Sequence, residues 1–201
     1  MLDDEIIKKG IKDKSVIKAM LDVDRSKFIS KKYSKIAYEN QAIPIGENQT
    51  ISTPFIIAFM LEYLSVMPDS NTLDVGTGSG YLAAVINKLG ASVLSIEINA
   101  ELAKRSAARL IELGYKEITV HHGDVCKAVS KHAFFDRIIV TATAKKIPKF
   151  LLDQLSINGR MIIPIGNELE VQYLWLITKK EDDLIIKEKL LPVYFSPLIN
   201  S

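Results

Sequence analysis

From residue 71 onward, unbroken apolar runs alternate with apolar positions at helical spacing. Leu73 and Val75 predict a strand, and Tyr81, Leu82, Val85, Ile86 and Leu89 a following helix. A second strand is expected over 91–97, then Asn99 as a helix N-cap and an apolar stripe through Leu102, Ala103, Ala107, Leu110 and Leu113, ended by Gly114. Strands are expected over 117–121 and 134–142, with a helix near 148–155 and a turn and fifth strand over 158–166. Residues 171–178 and 184–194 predict a closing hairpin with its turn over 179–183. Alternation of this kind specifies an α/β fold, Rossmann-like, with a mainly parallel sheet and an antiparallel C-terminal edge.

The pattern before residue 71 differs. Ile6, Ile7 and Ile11, then Val16, Ile17, Met20 and Leu21, give two N-terminal helical segments. Phe28 and Ile29 are expected to be buried, and Lys31, Lys32 and Lys35 to be solvated. Residues 37–54 carry few periodic apolar positions and read as a loop. Thr53 and Pro54 then look like an N-cap and first helical residue, with Ile57, Met60, Leu61 and Leu64 on the buried side. A loop delivered onto that helix start would gather the Thr50, Ser52 and Thr53 hydroxyls beside unpaired backbone N–H groups, a seat for a carboxylate; an ordinary capped helix reads the same way. We expect one domain over residues 1–201, with 1–52 as a helical and loop extension.

Charge narrows the range of partners. Lys and Arg number 26 against 24 Asp and Glu, so bulk electrostatics does not call for nucleic acid or a membrane surface. One cysteine, Cys126, precludes an intramolecular disulfide and suits a reducing cytoplasm, and no metal site is expected. The charged first residues do not resemble a signal peptide, and no apolar run reaches membrane-spanning length. His121 and His122, adjacent in a strand, would face opposite ways, and His132 has no evident partner.

The chemistry centres on N-T-L-D-V-G-T-G-S-G, residues 71–80, where a strand meets a helix through Gly76, Gly78 and Gly80 with Thr77 and Ser79 between them. Glycines there let the backbone turn sharply and approach a ligand closely. Glu97 ends the next strand about 20 residues on, where a carboxylate accepts both ribose hydroxyls of an adenosine. NAD and S-adenosylmethionine both fit those features. Tyr81 stands where a dinucleotide fingerprint wants its third glycine, and Asp74 precedes the turn. A carboxylate there repels a pyrophosphate and suits an ammonium group, which favours S-adenosylmethionine. Asp124, after the third strand, is placed either to meet adenine or simply to cap a turn. Thr141 and Ala142, in T-A-T-A, leave room for an acceptor or pack a junction.

The chain resembles the protein-L-isoaspartate O-methyltransferase family. The blocks that carry the resemblance are A-Y-E-N-Q-A-I-P-I-G-E-N-Q-T-I-S-T-P at 37–54, L-D-V-G-T-G-S-G-Y at 73–81, S-I-E at 95–97, G-D at 123–124, V-T-A-T-A at 140–144 and P-I-G at 164–166. V-D-R-S-K-F at 23–28 is similar to the family's N-terminal signature. The resemblance implies methyl transfer from S-adenosylmethionine to the free carboxyl of L-isoaspartyl residues in damaged proteins, by a monomer. It also implies that Ser52 contacts the acceptor carboxylate, with Thr50, Ile51, Thr141, Ala142 and Ser196 on the substrate side. Asp74, Gly76, Thr77, Gly78, Ser79, Glu97 and Asp124 would hold the cofactor. Four positions depart from the family pattern: Asn48 for glycine, Thr143 for alanine, Val125 for a second glycine and Ser196 for valine. The first would stiffen the acceptor loop and the second narrow its surroundings. A methyltransferase with a small-molecule or RNA acceptor, and a weak cofactor-binding protein, remain the alternatives. The resemblance also implies a swapped order of the last strands, which the hairpin pattern does not fix.

Overall fold

A computed structural model describes residues 6–129, 134–167 and 170–199. His132 lies outside them. Helix α1 (Lys14–Asp22) is capped by the Asp13 carboxylate, which accepts from the N–H groups of Ser15 and Val16. Two short 3₁₀ turns, Arg25–Phe28 and Lys31–Ile36, follow it. The turns bury Phe28 and Ile29 and leave Lys31, Lys32 and Lys35 exposed, as the polar pattern predicts.

Residues expected as a loop instead contain a hairpin of β1 (Ile43–Gly46) and β2 (Gln49–Ile51). Its two connecting residues, Glu47 and Asn48, both have positive φ, 53° and 54°. That is the backbone of a primed hairpin turn, whose twist matches the strands. Asparagine tolerates this region better than most side chains, so Asn48 serves the turn in place of glycine. Pattern reading missed the hairpin because its strands are three and four residues long and one contains Pro44.

Helix α2 (Pro54–Leu64) begins as expected, with Thr53 as N-cap and proline in its first turn, and buries Ile57, Met60, Leu61 and Leu64. The remaining elements are β3 (Asn71–Val75), α3 (Tyr81–Lys88), β4 (Ser92–Glu97), α4 (Ala100–Glu112), β5 (Ile118–His122), α5 (Val125–Val129), β6 (Phe135–Val140), α6 (Lys149–Asp153), β7 (Leu155–Ile165), β8 (Gln172–Lys179) and β9 (Ile185–Val193). The turn expected at Asn158 is a local irregularity inside β7, with Asn158 at φ 60°, and the strand continues through it.

The main sheet has the order β5-β4-β3-β6-β7-β8-β9. Its first four pairings are parallel and its last two antiparallel, so the closing strands form a meander in chain order. Alternation along β3 sends Leu73 and Val75 into a core shared with α5 and α6. Helices α1, α2 and α3 pack on the opposite face. Chain direction across the sheet reverses between β3 and β6, and in such sheets the crevice beyond the strand ends at that point receives ligands.

Candidate active site

A cavity of about 860 Å³ opens beyond the ends of β3, β4 and β6. Its floor is the glycine turn. Gly76, Gly78 and Gly80 all have positive φ, and a Cβ at Gly76 would sit 2.5 Å from the Thr141 hydroxyl. The Thr141 hydroxyl reaches the carbonyls of Val75 and Gly76 at 3.1 and 3.0 Å, tying the end of β6 to the turn. At Gly78 a Cβ would meet Ile45 at 3.3 Å, because the β1–β2 hairpin lies over the turn. Arg105 of α4 pins that hairpin by donating to the Ile45 carbonyl, and Arg109 donates to the Ser79 carbonyl at 2.8 Å.

Glu97 lines the cavity and is nearly buried. One carboxylate oxygen accepts from Gly78 N–H at 2.8 Å and the other from Asn99 N–H at 2.9 Å. An ionised carboxylate offers about four acceptor positions, so two are left for a diol. Thr77, Ser79, Thr141 and Ala142 also line the space.

Asp74 differs from its expectation. It is fully buried within β3 and is not part of the cavity wall, which begins at Val75. Strand alternation places its side chain on the face opposite Leu73 and Val75, the one covered by the helices α1 to α3. One carboxylate oxygen accepts from Ser95 Oγ at 2.7 Å, and Ser95 Oγ lies 2.6 Å from Thr77 Oγ1. The other oxygen has no partner among the described residues. Burial pushes this carboxyl up to about 7; the Ser95 hydrogen bond opposes that rise and the charge of Glu97 adds to it. Asp74 reaches the cavity only through Ser95 and Thr77.

Asp124 sits at the start of α5, where its side chain accepts from Cys126 N–H at 2.9 Å and its carbonyl from Lys127 and Ala128. These bonds cap the turn, as one of its two expected roles requires. Its neighbours Gly123 and Val125, rather than Asp124 itself, reach the cavity.

The acceptor side is built by the hairpin and by residues 194–198. Thr50, Ile51 and Ser52 line the cavity. The expected unpaired amides at the start of α2 are absent: Pro54 has no N–H, Phe55 N–H goes to Asn40 Oδ1, and Ile56 and Ile57 N–H go to Thr53. The Ser52 hydroxyl, in contrast, makes no hydrogen bond among the described residues. Ser196 joins the opposite wall. Its carbonyl accepts from Thr143 N–H at 2.8 Å, and Leu198 N–H donates back to the Thr143 carbonyl at 2.8 Å. Thr143 is buried, its hydroxyl directed at the Pro164 carbonyl at 3.4 Å, so it does not narrow the cavity.

Nothing in the local pattern gives two supporting residues a role in the site. Gln172 of β8, 1% exposed, uses both ends of its amide on Phe195: Phe195 N–H donates to Oε1 at 2.7 Å and Nε2 donates to the Phe195 carbonyl at 3.1 Å. A side chain thereby replaces a peptide group as the partner that seats the wall. Arg25, inside V-D-R-S-K-F, donates through Nη2 to the Ser52 carbonyl at 2.6 Å.

The family model described as "Protein-L-isoaspartate(D-aspartate) O-methyltransferase (PCMT)" matches residues 1–201. A protein-L-isoaspartate O-methyltransferase of Gloeobacter violaceus is 43% identical over 198 residues, covering 98% of this chain and 96% of that protein. One from Ignicoccus hospitalis is 45% identical over 192 residues, covering 94% and 90%. A Plasmodium falciparum chain described as a protein-L-isoaspartate O-methyltransferase, solved with S-adenosyl-L-homocysteine, superposes with a TM-score of 0.87 at 30% identity, covering 100% of this chain and 97% of that one.

Proposed function

The chain belongs to the protein-L-isoaspartate(D-aspartate) O-methyltransferase family, and from that membership we infer how its cavity serves the family reaction. The protein transfers a methyl group from S-adenosyl-L-methionine to the free carboxyl of L-isoaspartyl residues in damaged proteins, which begins their repair. The observation that carries the site assignment is a single cavity lined on one side by the glycine turn and Glu97 and on the other by Ser52 and Ser196.

The glycine cradle and the two open acceptor positions of Glu97 fit the cofactor. Bound S-adenosylmethionine supplies an electrophilic methyl group on a sulfonium. We assign Glu97 to the ribose, and Gly76, Thr77, Gly78 and Ser79 to the backbone cradle. Asp74 supports that cradle from behind, through Ser95 and Thr77. Asp124 contributes by ordering Gly123 and Val125.

An acceptor carboxylate is already ionised at neutral pH, so the chain needs no general base. Its task is alignment in a partly dehydrated space. We assign the unpartnered Ser52 hydroxyl as a donor to the acceptor carboxylate, with Thr50, Ile51, Thr141, Ala142 and Ser196 around the substrate chain. We propose that a monomer is the working form, which light scattering at the mass of one chain would support.

A peptide containing L-isoaspartate should accept labelled methyl from S-adenosylmethionine as a base-labile ester, and its L-aspartyl counterpart should not. Equal labelling of the two, or none despite measured cofactor binding, refutes the assignment and favours a different acceptor or a weak cofactor-binding protein.

A further inference from the structure

Arg25 is a buried cation with no anionic partner among the described residues. Its side chain is 0% exposed. Nε donates to the Ala37 carbonyl at 2.8 Å and Nη2 to the Ser52 carbonyl at 2.6 Å, while Nη1 has no partner among the described residues. The guanidinium carbon lies 5.0 Å from the centre of the Tyr81 ring, which Phe28 meets edge-on. The adjacent Asp24 does not neutralise it. Its Oδ1 accepts from Ser26 N–H and Oγ and from the Tyr38 hydroxyl, and it forms no ion pair with Arg25. Burial lowers Arg25 only to about 10, so it remains charged at neutral pH.

An uncompensated buried charge is costly, and proteins usually pair or remove one. Here one of its donors ends on Ser52, which lines the cavity, and its ring partner Tyr81 is the first residue after the glycine turn. One guanidinium thus joins the acceptor loop to the cofactor helix.

We propose that Arg25 is a positioning residue that fixes the Ser52 peptide and supplies the positive charge drawing the isoaspartyl carboxylate to the Ser52 hydroxyl. The proposal rests on the reading of Ser52 given above. It also sets the kinetic pattern. Methyl transfer neutralises the carboxylate, so a cation beneath it favours the bound substrate over the transition state and over the neutral ester. Loss of the Arg25 charge should therefore raise KM for the peptide without lowering kcat, and a fall in kcat reports lost positioning of the Ser52 peptide.

The test uses the protein with S-adenosyl-L-homocysteine, which cannot react. Binding of an isoaspartyl peptide is compared with that of the same peptide whose free carboxyl is a carboxamide. The natural protein should prefer the carboxylate by about tenfold or more, as expected for a charge interaction of roughly 1.4 kcal/mol. In Arg25→Met the preference should fall to about twofold or less, with S-adenosyl-L-homocysteine affinity unchanged. Arg25→Lys keeps the charge and should keep most of the preference, while its single ammonium loses the two-carbonyl grip and lowers kcat. Equal affinity of the natural protein for the two peptides overturns the proposal without any variant, even if Arg25→Met fails to fold. An undiminished preference in Arg25→Met overturns it as well. Methylation of the isoaspartyl peptide alongside either result leaves the assigned reaction standing, whereas absence of methylation removes both.

Discussion

The contact between Gly76 and Thr141 provides a quantitative test of how the cofactor turn is held. A methyl group at residue 76 would lie 2.5 Å from the Thr141 hydroxyl, at a backbone φ of 98°. Gly76→Ala therefore brings three costs. A Cβ at this φ costs about 1–2 kcal/mol, and forcing the crowded junction apart costs about 1–3 kcal/mol. Displacing the hydroxyl from the carbonyls of Val75 and Gly76 costs about 1 kcal/mol. The sum is about 3–6 kcal/mol. Thr141→Ala removes the hydroxyl alone and should cost about 1 kcal/mol, since Val75 still accepts from Thr141 N–H. In the double variant the clash disappears and the hydroxyl is lost only once. It should be more stable than Gly76→Ala alone, with a coupling of about 2 kcal/mol or more. Urea unfolding of the four proteins measures this, provided the slopes agree. Strict additivity would refute the picture of a glycine required by the Thr141 hydroxyl. A double variant no more stable than Gly76→Ala would leave backbone strain as the whole cost.

Ser52→Ala should lower methyl transfer to an isoaspartyl peptide by about tenfold to a hundredfold, the value of one hydrogen bond to a charged group, with little effect on S-adenosyl-L-homocysteine affinity; equal losses in both would remove Ser52 from the acceptor side. For Asp74 the folded carboxyl titrates near 7 against 3.8 when unfolded, so the folded state holds the extra proton between those values. This group's contribution is fully present below about pH 3.8 and is lost as pH rises toward 7. Asp74→Asn, measured without cofactor, should therefore gain stability relative to the natural protein as pH rises through that window, and a pH-independent difference would refute the shift.

The sequence was most legible where one local rule sufficed. The Thr53–Pro54 helix start, the Asn99 cap and the alternation of strands and helices needed only neighbouring residues, and the structure has all three. Glu97 was legible because strand length and turn length set its distance from the glycines. Asp74 lies behind the cavity wall because helices cover both faces of the sheet, so strand alternation moves its side chain from one buried face to the other, which the sequence pattern did not show. The roles of Arg25, although it lies in the V-D-R-S-K-F block, and of Gln172 were illegible for a different reason. Each looks like a surface residue in its own segment, and each acquires its role from a backbone group far along the chain. The hairpin at 43–51 fell between the two, since its strands are too short for a period to show.

The Gln172 and Thr143 bonds also bear on the order in which the site can assemble. The donor side draws on β3, β4, β6 and the turns beside them, whose parallel pairing forms a contiguous unit. The acceptor wall depends on Phe195 meeting Gln172 of β8 and on Ser196 and Leu198 meeting Thr143, just beyond β6, so it needs both of those strands already in the sheet. Such contacts are rewarded only when their partners are already in place, whereas the donor side needs nothing from residues 195–198. A folding chain would thus hold a formed methyl-donor pocket before it has an acceptor wall. Such an intermediate would bind S-adenosyl-L-homocysteine before it discriminates among peptides, and refolding followed by both ligands at once would reveal whether the two abilities return in that sequence.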